Sequence, residues 1–451
     1  MAKPISGTNG NDTLVGTLVD DLIKGRNGND DLFGEPDVML NNQSFQAGND
    51  RITGDKGSDD LIGDSESVSL LLESSYAGGD DSLSGGDGGD YIVGDVVEVD
   101  VRESQSFQGG NDTLNGGAGM DLLIGDVDTA SVGIEDSVFT GGDDSLNGGR
   151  DNDQIFGDVR ILDLGNLFPS AVMGDDTIRG SSGDDLISGD VERIRIFNDE
   201  SNLIAGADHL FGGTGNDRLF GDGIEIFGGD TGVYVLGDDS LRGGSGNDEL
   251  YGDAGELGAG IPVSLFSSGD DDLSGGGGDD LIFGDGETID ATDAGVMSMG
   301  DDSLSGGAGN DSLFGDAAMV ESTFSSTVSG GDDTINGGAG NDLIVGDFQT
   351  VLLEENSTAT GGNDMLTGGA GNDTFFFLEG SAEDVITDFR AGAGSDDVLD
   401  VTDYGIDGSN FGTVLGEDAD GNAVLTFNAD DSITLLRVSA DSLHFDDFVP
   451  I

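Results

Sequence analysis

The sequence predicts an all-β protein: a right-handed parallel β-solenoid of about 31 residues per turn, closed by a C-terminal β cap. Three observations lead there. A nine-residue pattern, G-G-x-G-x-D-x-U-x with U a large aliphatic residue, recurs along most of the chain, and Gly337–Val345 is a complete copy. Two such loops, their aspartates nine residues apart, form a unit that returns every 31 or 32 residues. The stretches between units hold apolar residues at fixed positions while their neighbours vary.

Each part of the nine-residue pattern has a physical role. The glycines permit positive φ and close backbone packing, so six residues form a tight loop with inward carbonyls. The aspartate adds a hard anionic oxygen at the loop's end, and U starts a short strand with an apolar side chain facing in. Carboxylate and carbonyl oxygens suit Ca²⁺ rather than zinc or copper.

Composition narrows the function. The 451 residues include 83 glycines, 5 prolines, no cysteine and no tryptophan, with a formal charge of −77. The glycines lack a Gly-X-Y period, which excludes collagen. The charge argues against nucleic acid or an anionic membrane as partner. It also predicts that the metal-free chain does not stay compact. Without cysteine there are no disulfides, thiolate metal sites or cysteine nucleophiles. Met1–Ser6 has no apolar signal core and no apolar run reaches membrane-spanning length, so export is expected to bypass a cleaved N-terminal signal.

Residues 1–46 hold N-terminal nonapeptides and the first turn, with aspartates at Asp12, Asp21 and Asp30. Residues 47–373 are the solenoid proper. Its first-loop aspartates are Asp50, Asp81, Asp112, Asp144, Asp176, Asp208, Asp239, Asp271, Asp302, Asp333 and Asp364. Its second-loop aspartates are Asp59, Asp90, Asp121, Asp153, Asp185, Asp217, Asp248, Asp280, Asp311, Asp342 and Asp373. A Gly-Asp corner closes the first ten of these units, as at Gly94-Asp95.

The spacer after each corner belongs to the wall rather than to a hanging loop. One apolar column runs Val68, Val99, Ala130, Leu162, Ile194, Ile226, Leu257, Ile289, Val320, Val351. A second runs Phe45, Tyr76, Phe107, Phe139, Ala171, Leu203, Tyr234, Phe266, Met297, Val328, Ala359. One residue per turn is what inward positions of stacked strands require. The expectation is three strands per turn and twelve turns counted from Asp21. Residues 374–451 lose the glycine pattern, and Asp384–Phe389, Asp397–Val401, Ala423–Phe427 and Ser432–Leu436 alternate like antiparallel strands. Such a region caps the last open edge.

The nonapeptide resembles the repeat of RTX, or haemolysin-type calcium-binding, proteins, over most of the chain. The resemblance implies a β-roll with Ca²⁺ held between stacked loops. Residues 374–451 resemble the C-terminal domain of RTX proteases and lipases exported by type I secretion. The matching features are Phe375-Phe-Phe377, Asp384 with Asp388-Phe389, Val398-Leu-Asp400 and Asp446-Asp-Phe448-Val449; the Arg390–Ser395 insert is longer than the family's spacing. This implies a secreted, extracellular protein with the type I machinery as partner.

All the aspartates numbered above, from Asp12 to Asp373, are candidate calcium ligands. Stacked at one strand spacing they repel unless cations bridge them. Eleven gaps and two loop columns give about 22 Ca²⁺. The alternative is that they only cap turn amides. The corner aspartates Asp64, Asp95, Asp126 and their successors fit metal contact or turn capping equally. Enzyme motifs are absent: His209 and His444 are the only histidines, with no H-E-x-x-H or G-x-S-x-G, and the repeats begin at residue 7. The reading is therefore a non-enzymatic, calcium-folded extracellular protein. A surface adhesin or matrix protein is the alternative, a polysaccharide-modifying enzyme a weaker one.

Overall fold

The computed structural model describes residues 3–450 apart from 72, 103, 134–136, 166–168, 197–200, 229–231, 260–264, 292–294, 323–324, 355 and 393–396. Among these residues there is no α-helix, only strands, tight loops and four short 3-10 turns near the C-terminus.

One turn explains the rest. Strand Ser82–Asp87 points Leu83 inward, and a glycine loop reverses the chain into Tyr91–Val93, which points Ile92 at it. Gly94-Asp95 turns into Val96–Val101, whose Val96, Val99 and Val101 are buried, and Ser106–Gln108 brings in Phe107. Each strand pairs in parallel with its counterpart one turn on: Leu83 with Leu114, Ile92 with Leu123, Val99 with Ala130, Phe107 with Phe139. The result is a parallel β-solenoid with four sheets as walls. Ten complete turns in this register run from Arg51 to Thr360 among the described residues.

A turn has four strands, not the three expected. The spacer forms two short strands in different sheets, so its two apolar columns face each other across a core of their own. Both columns are buried from Val68 to Val320 and from Tyr76 to Val328, and partly covered at Phe45, Val351 and Ala359. Phe45, Tyr76, Phe107 and Phe139 stack with ring centroids 5.5, 5.5 and 5.2 Å apart. The two loop ladders of U residues fill a separate core between the sheet that holds Ser82–Asp87 and the sheet that holds Tyr91–Val93. Each turn thus has two lobes, and the chain crosses between them at the Gly-Asp corner and again at the first-loop aspartate.

The ends differ from the middle. Lys3–Ser6 pairs with the strand at Asp21 and Thr13–Val15 with Asp31–Phe33, both at 18-residue spacing, so the first turn lacks the spacer lobe. The second lobe begins at Val38–Asn41 and Ser44–Gln46.

At the other end one expectation is corrected. Glu383–Ile386 and Val398–Asp400 are not antiparallel; they lie parallel on Met365–Ala370 and Thr374–Phe376 and extend the first lobe by a level. Alternation reports which face is buried and carries no strand direction, whereas the D-x-U pattern at Asp384 and Asp397 fits the loop ladder. Only Leu415–Glu417, Ala423–Thr426 and Ser432–Leu435 form the antiparallel meander, whose last strand returns beside Glu383–Ile386. Phe389, Leu399, Leu425, Ile433 and Phe448 close the core. Positions 393–395 of the Arg390–Ser395 insert lie outside the described residues.

Candidate metal centre

Backbone amides at each level are satisfied by the aspartate of the next. Asp81 N–H donates to Asp112 Oδ1 at 2.7 Å and Asp112 N–H to Asp144 Oδ1 at 2.6 Å. In the second loop, Asp90 N–H donates to Asp121 Oδ1 and Asp121 N–H to Asp153 Oδ1, each at 2.8 Å. The turn-capping alternative thus accounts for one oxygen of each carboxylate.

The other oxygen is left over. From Asp50 to Asp373, Oδ2 of every first- and second-loop aspartate is buried without a hydrogen-bond partner, as are Asp30 Oδ2 and Asp21 Oδ1. Asp12 is the exception: it is partly exposed, and its Oδ2 accepts from Thr8 N–H and hydroxyl. A buried, unpartnered carboxylate oxygen is costly unless a cation meets it.

Glycine carbonyls converge on the same places. A Cβ added at Gly94 would stand 1.7 Å from the Gly125 carbonyl oxygen and 1.9 Å from Asp112 Oδ2. One added at Gly116 would stand 2.3 Å from Asp121 Oδ2 and 2.7 Å from the Gly148 carbonyl oxygen. Only glycine leaves these oxygen-lined hollows open. Gly117 and Gly119, at φ +115° and +131°, supply the left-handed turn of the second loop. All-oxygen donors, carboxylate and carbonyl together, fit a hard cation of calcium's type.

The electrostatics agree. Burial, opposed in part by the amide of the level below, raises the carboxyls to about 6 at Asp90, about 7 at Asp121 and about 8 at Asp153. Burial pushes first-loop aspartates such as Asp112 well above the carboxylate range, with Asp95 and Asp144 adding repulsion. Carboxylates so placed need positive charge to remain ionised.

The ladder is longer than the sequence pattern suggested. Asp364 N–H donates to Asp384 Oδ1 and Asp373 N–H to Asp397 Oδ1, at 3.0 and 3.3 Å. Asp384 Oδ2 is again unpartnered. At the corner position, Glu35 is the counterpart of Asp64; its Oε1 accepts Gly48 N–H at 2.8 Å and its Oε2 has no partner. The signals were present: Asp384-Val-Ile and Asp397-Val-Leu keep the D-x-U order, and Gly34-Glu35 follows Asp30 as Gly63-Asp64 follows Asp59. The second-loop column ends differently. The Arg390 guanidinium donates to the carbonyls of Gly371 and Gly369, setting a fixed cation on the last glycine loop. His209 is exposed, and its Nδ1 lies 2.9 Å from the Asp208 carbonyl oxygen.

Fold and site define a parallel β-solenoid whose stacked turns align hollows lined by carboxylate and carbonyl oxygens. A family model described as RTX calcium-binding nonapeptide repeat (4 copies) matches residues 6–37, 46–67, 108–129, 140–159, 172–191, 205–223, 236–256, 267–287, 298–318, 327–350 and 355–381, more than half of the chain. The chain belongs to that family, and its repeats are calcium-binding repeats. A search of curated proteins gave no match.

Proposed function

We propose that this is an extracellular protein that leaves the cell unfolded through a type I system and is folded outside by calcium. One observation carries the reading: the unbroken file of buried, unpartnered aspartate oxygens beside glycine carbonyls, in register from turn to turn. Asp50 through Asp373 in both columns are the ligands, with Asp21 and Asp30 at the start and Asp384 added at the end. Calcium bound there supplies the charge that lets these carboxylates stay ionised and ties neighbouring turns together. The unfolded chain has no such hollows, so free calcium sets the folding equilibrium by linkage. Extracellular millimolar calcium saturates sites too weak to fill in the cytosol. No helix among the described residues is long and apolar enough to cross a membrane.

Circular dichroism and hydrodynamic radius, measured with calcium and with chelator, test this. We expect an expanded chain with little β-structure under chelator and a compact one in millimolar calcium, with magnesium a poor substitute. A chelated protein that keeps its full β-signal and radius would sink the proposal.

A further inference from the structure

The corner aspartates have no place in the nine-residue pattern, yet they are as buried as the loop aspartates. Asp64, Asp95, Asp126, Asp158 and their successors are buried at the crossing between the two lobes. Each spends one oxygen on the turn above: Gly110 N–H donates to Asp95 Oδ2 and Gly142 N–H to Asp126 Oδ2, both at 2.9 Å. The second oxygens, Asp95 Oδ1 and Asp126 Oδ1, are buried and unpartnered. They face the first-loop aspartates. Ligand oxygens of Asp64, Asp81 and Asp95 all lie within 4.8 Å of one another, as do those of Asp95, Asp112 and Asp126.

Two features separate this interior file from the second-loop file. The second loop lies at the outer rim, with Asp87 and Gly89 exposed at its tip, whereas Gly78, Gly79, Gly94 and Asp95 around the interior file are buried. The crossing is also roofed from outside. Ile62, Val93, Ile124 and Phe156 pack against Val97 and Ile224 there, and farther along Phe220, Tyr251, Phe283 and Phe314 stack at 4.6–5.2 Å. Charge then decides the composition. A file closed to water tolerates little net charge. Each level adds one first-loop and one corner carboxylate, which one divalent cation per gap neutralises. A loop aspartate alone leaves each gap with an excess positive charge, tolerable only at a wet rim.

We propose that the corner aspartates are cation ligands, each gap between turns holding a closed divalent-cation site made of one first-loop and two corner carboxylates, distinct from the open sites of the second-loop file. This rests on the calcium reading of the loops and adds to it a second class of site, dry and charge-balanced, created by the spacer lobe.

Exchange of bound ⁴⁵Ca²⁺ against unlabelled calcium in the wild-type chain is the first test: two phases are expected, the slower from the interior file. A single fast phase would overturn the proposal. The second test replaces Asp95, Asp126 and Asp158 together by Asn, which keeps the acceptor for the glycine amides and removes the carboxylate. Calcium content by equilibrium dialysis should fall by about four ions per chain, one for each gap these corners border, and the slow phase should shrink. Unchanged content and kinetics, with calcium still lost when Asp112, Asp144 and Asp176 are replaced by Asn, would reject the corner ligands and leave the loop reading standing. If neither triple variant loses calcium, the loop reading itself fails. Should the corner variant not fold, the wild-type exchange decides alone.

Discussion

Each loop aspartate divides its work between two oxygens. Asp217 Oδ1 accepts the Asp185 amide at 2.9 Å, while Oδ2 has no protein partner. Asp217→Asn keeps an acceptor and loses the ligand; Asp217→Ala loses both. Both should raise the calcium midpoint for folding in a dichroism titration, the alanine variant more, because it also strands a buried amide at about 1–3 kcal/mol. The apolar residues carry a cleaner expectation. Ile194 is buried in the spacer core, and Ile194→Ala should cost about 2–4 kcal/mol, read by denaturant unfolding in saturating calcium. A value near zero would mean that the spacer lobe packs loosely.

The C-terminal element bears the end of the stack. Arg390 neutralises the last glycine loop with a charge that cannot dissociate, and the meander covers the final apolar level. Arg390→Ala should lower the midpoint of thermal unfolding in limiting calcium and less so in excess. Removing residues 374–451 should leave an exposed, sticky edge and, on our reading of the export signal, abolish secretion from a type I-competent host. Efficient export of the shortened chain would refute that reading. In this region the sequence led partly astray: alternation identified strands, but their parallel or antiparallel pairing depended on which neighbour offered the better partner. Asp384 and Asp397 found theirs in the amides of Asp364 and Asp373.

The whole molecule is an electrostatic problem: 92 acidic residues face 15 lysines and arginines. The few cations bridge turns on the surface, as Lys24 does to Asp55 and Arg218 to Glu249, where each pair contributes little. Most of the balance must come from bound cations. The pH dependence follows in sign. Without metal, the buried carboxyls titrate above the 3.8 of an unfolded aspartate, at about 6 to 8 for Asp90, Asp121 and Asp153. The metal-free fold therefore binds more protons than the unfolded chain across that window, and its stability falls as pH rises from about 4 to 8. With calcium the order reverses, because protons compete for the same oxygens. The calcium concentration needed for folding should stay nearly level from pH 8 to about 5, where the unfolded chain's aspartates are already ionised, and rise as pH falls towards about 4, measurable by dichroism titrations at several pH values. A midpoint that does not rise even at about pH 4 would argue that these carboxylates are not the ligands.

The sequence alone determined the period, the two loop columns, the inward spacer residues and the chemistry of the ions, because a solenoid repeats its contacts one turn at a time and writes each contact into a fixed position. Leu83 must meet Leu114 wherever the chain goes between them. What it left open concerned contacts between columns. Whether the spacer made one strand or two depended on Val99 and Phe107 finding each other across a second core. Whether Asp95 was a cap or something more depended on the crossing that brings it to Asp112 and Asp126. Those are distances across a turn rather than along the stack, and spacing in sequence carries no measure of them until the chain closes its two lobes.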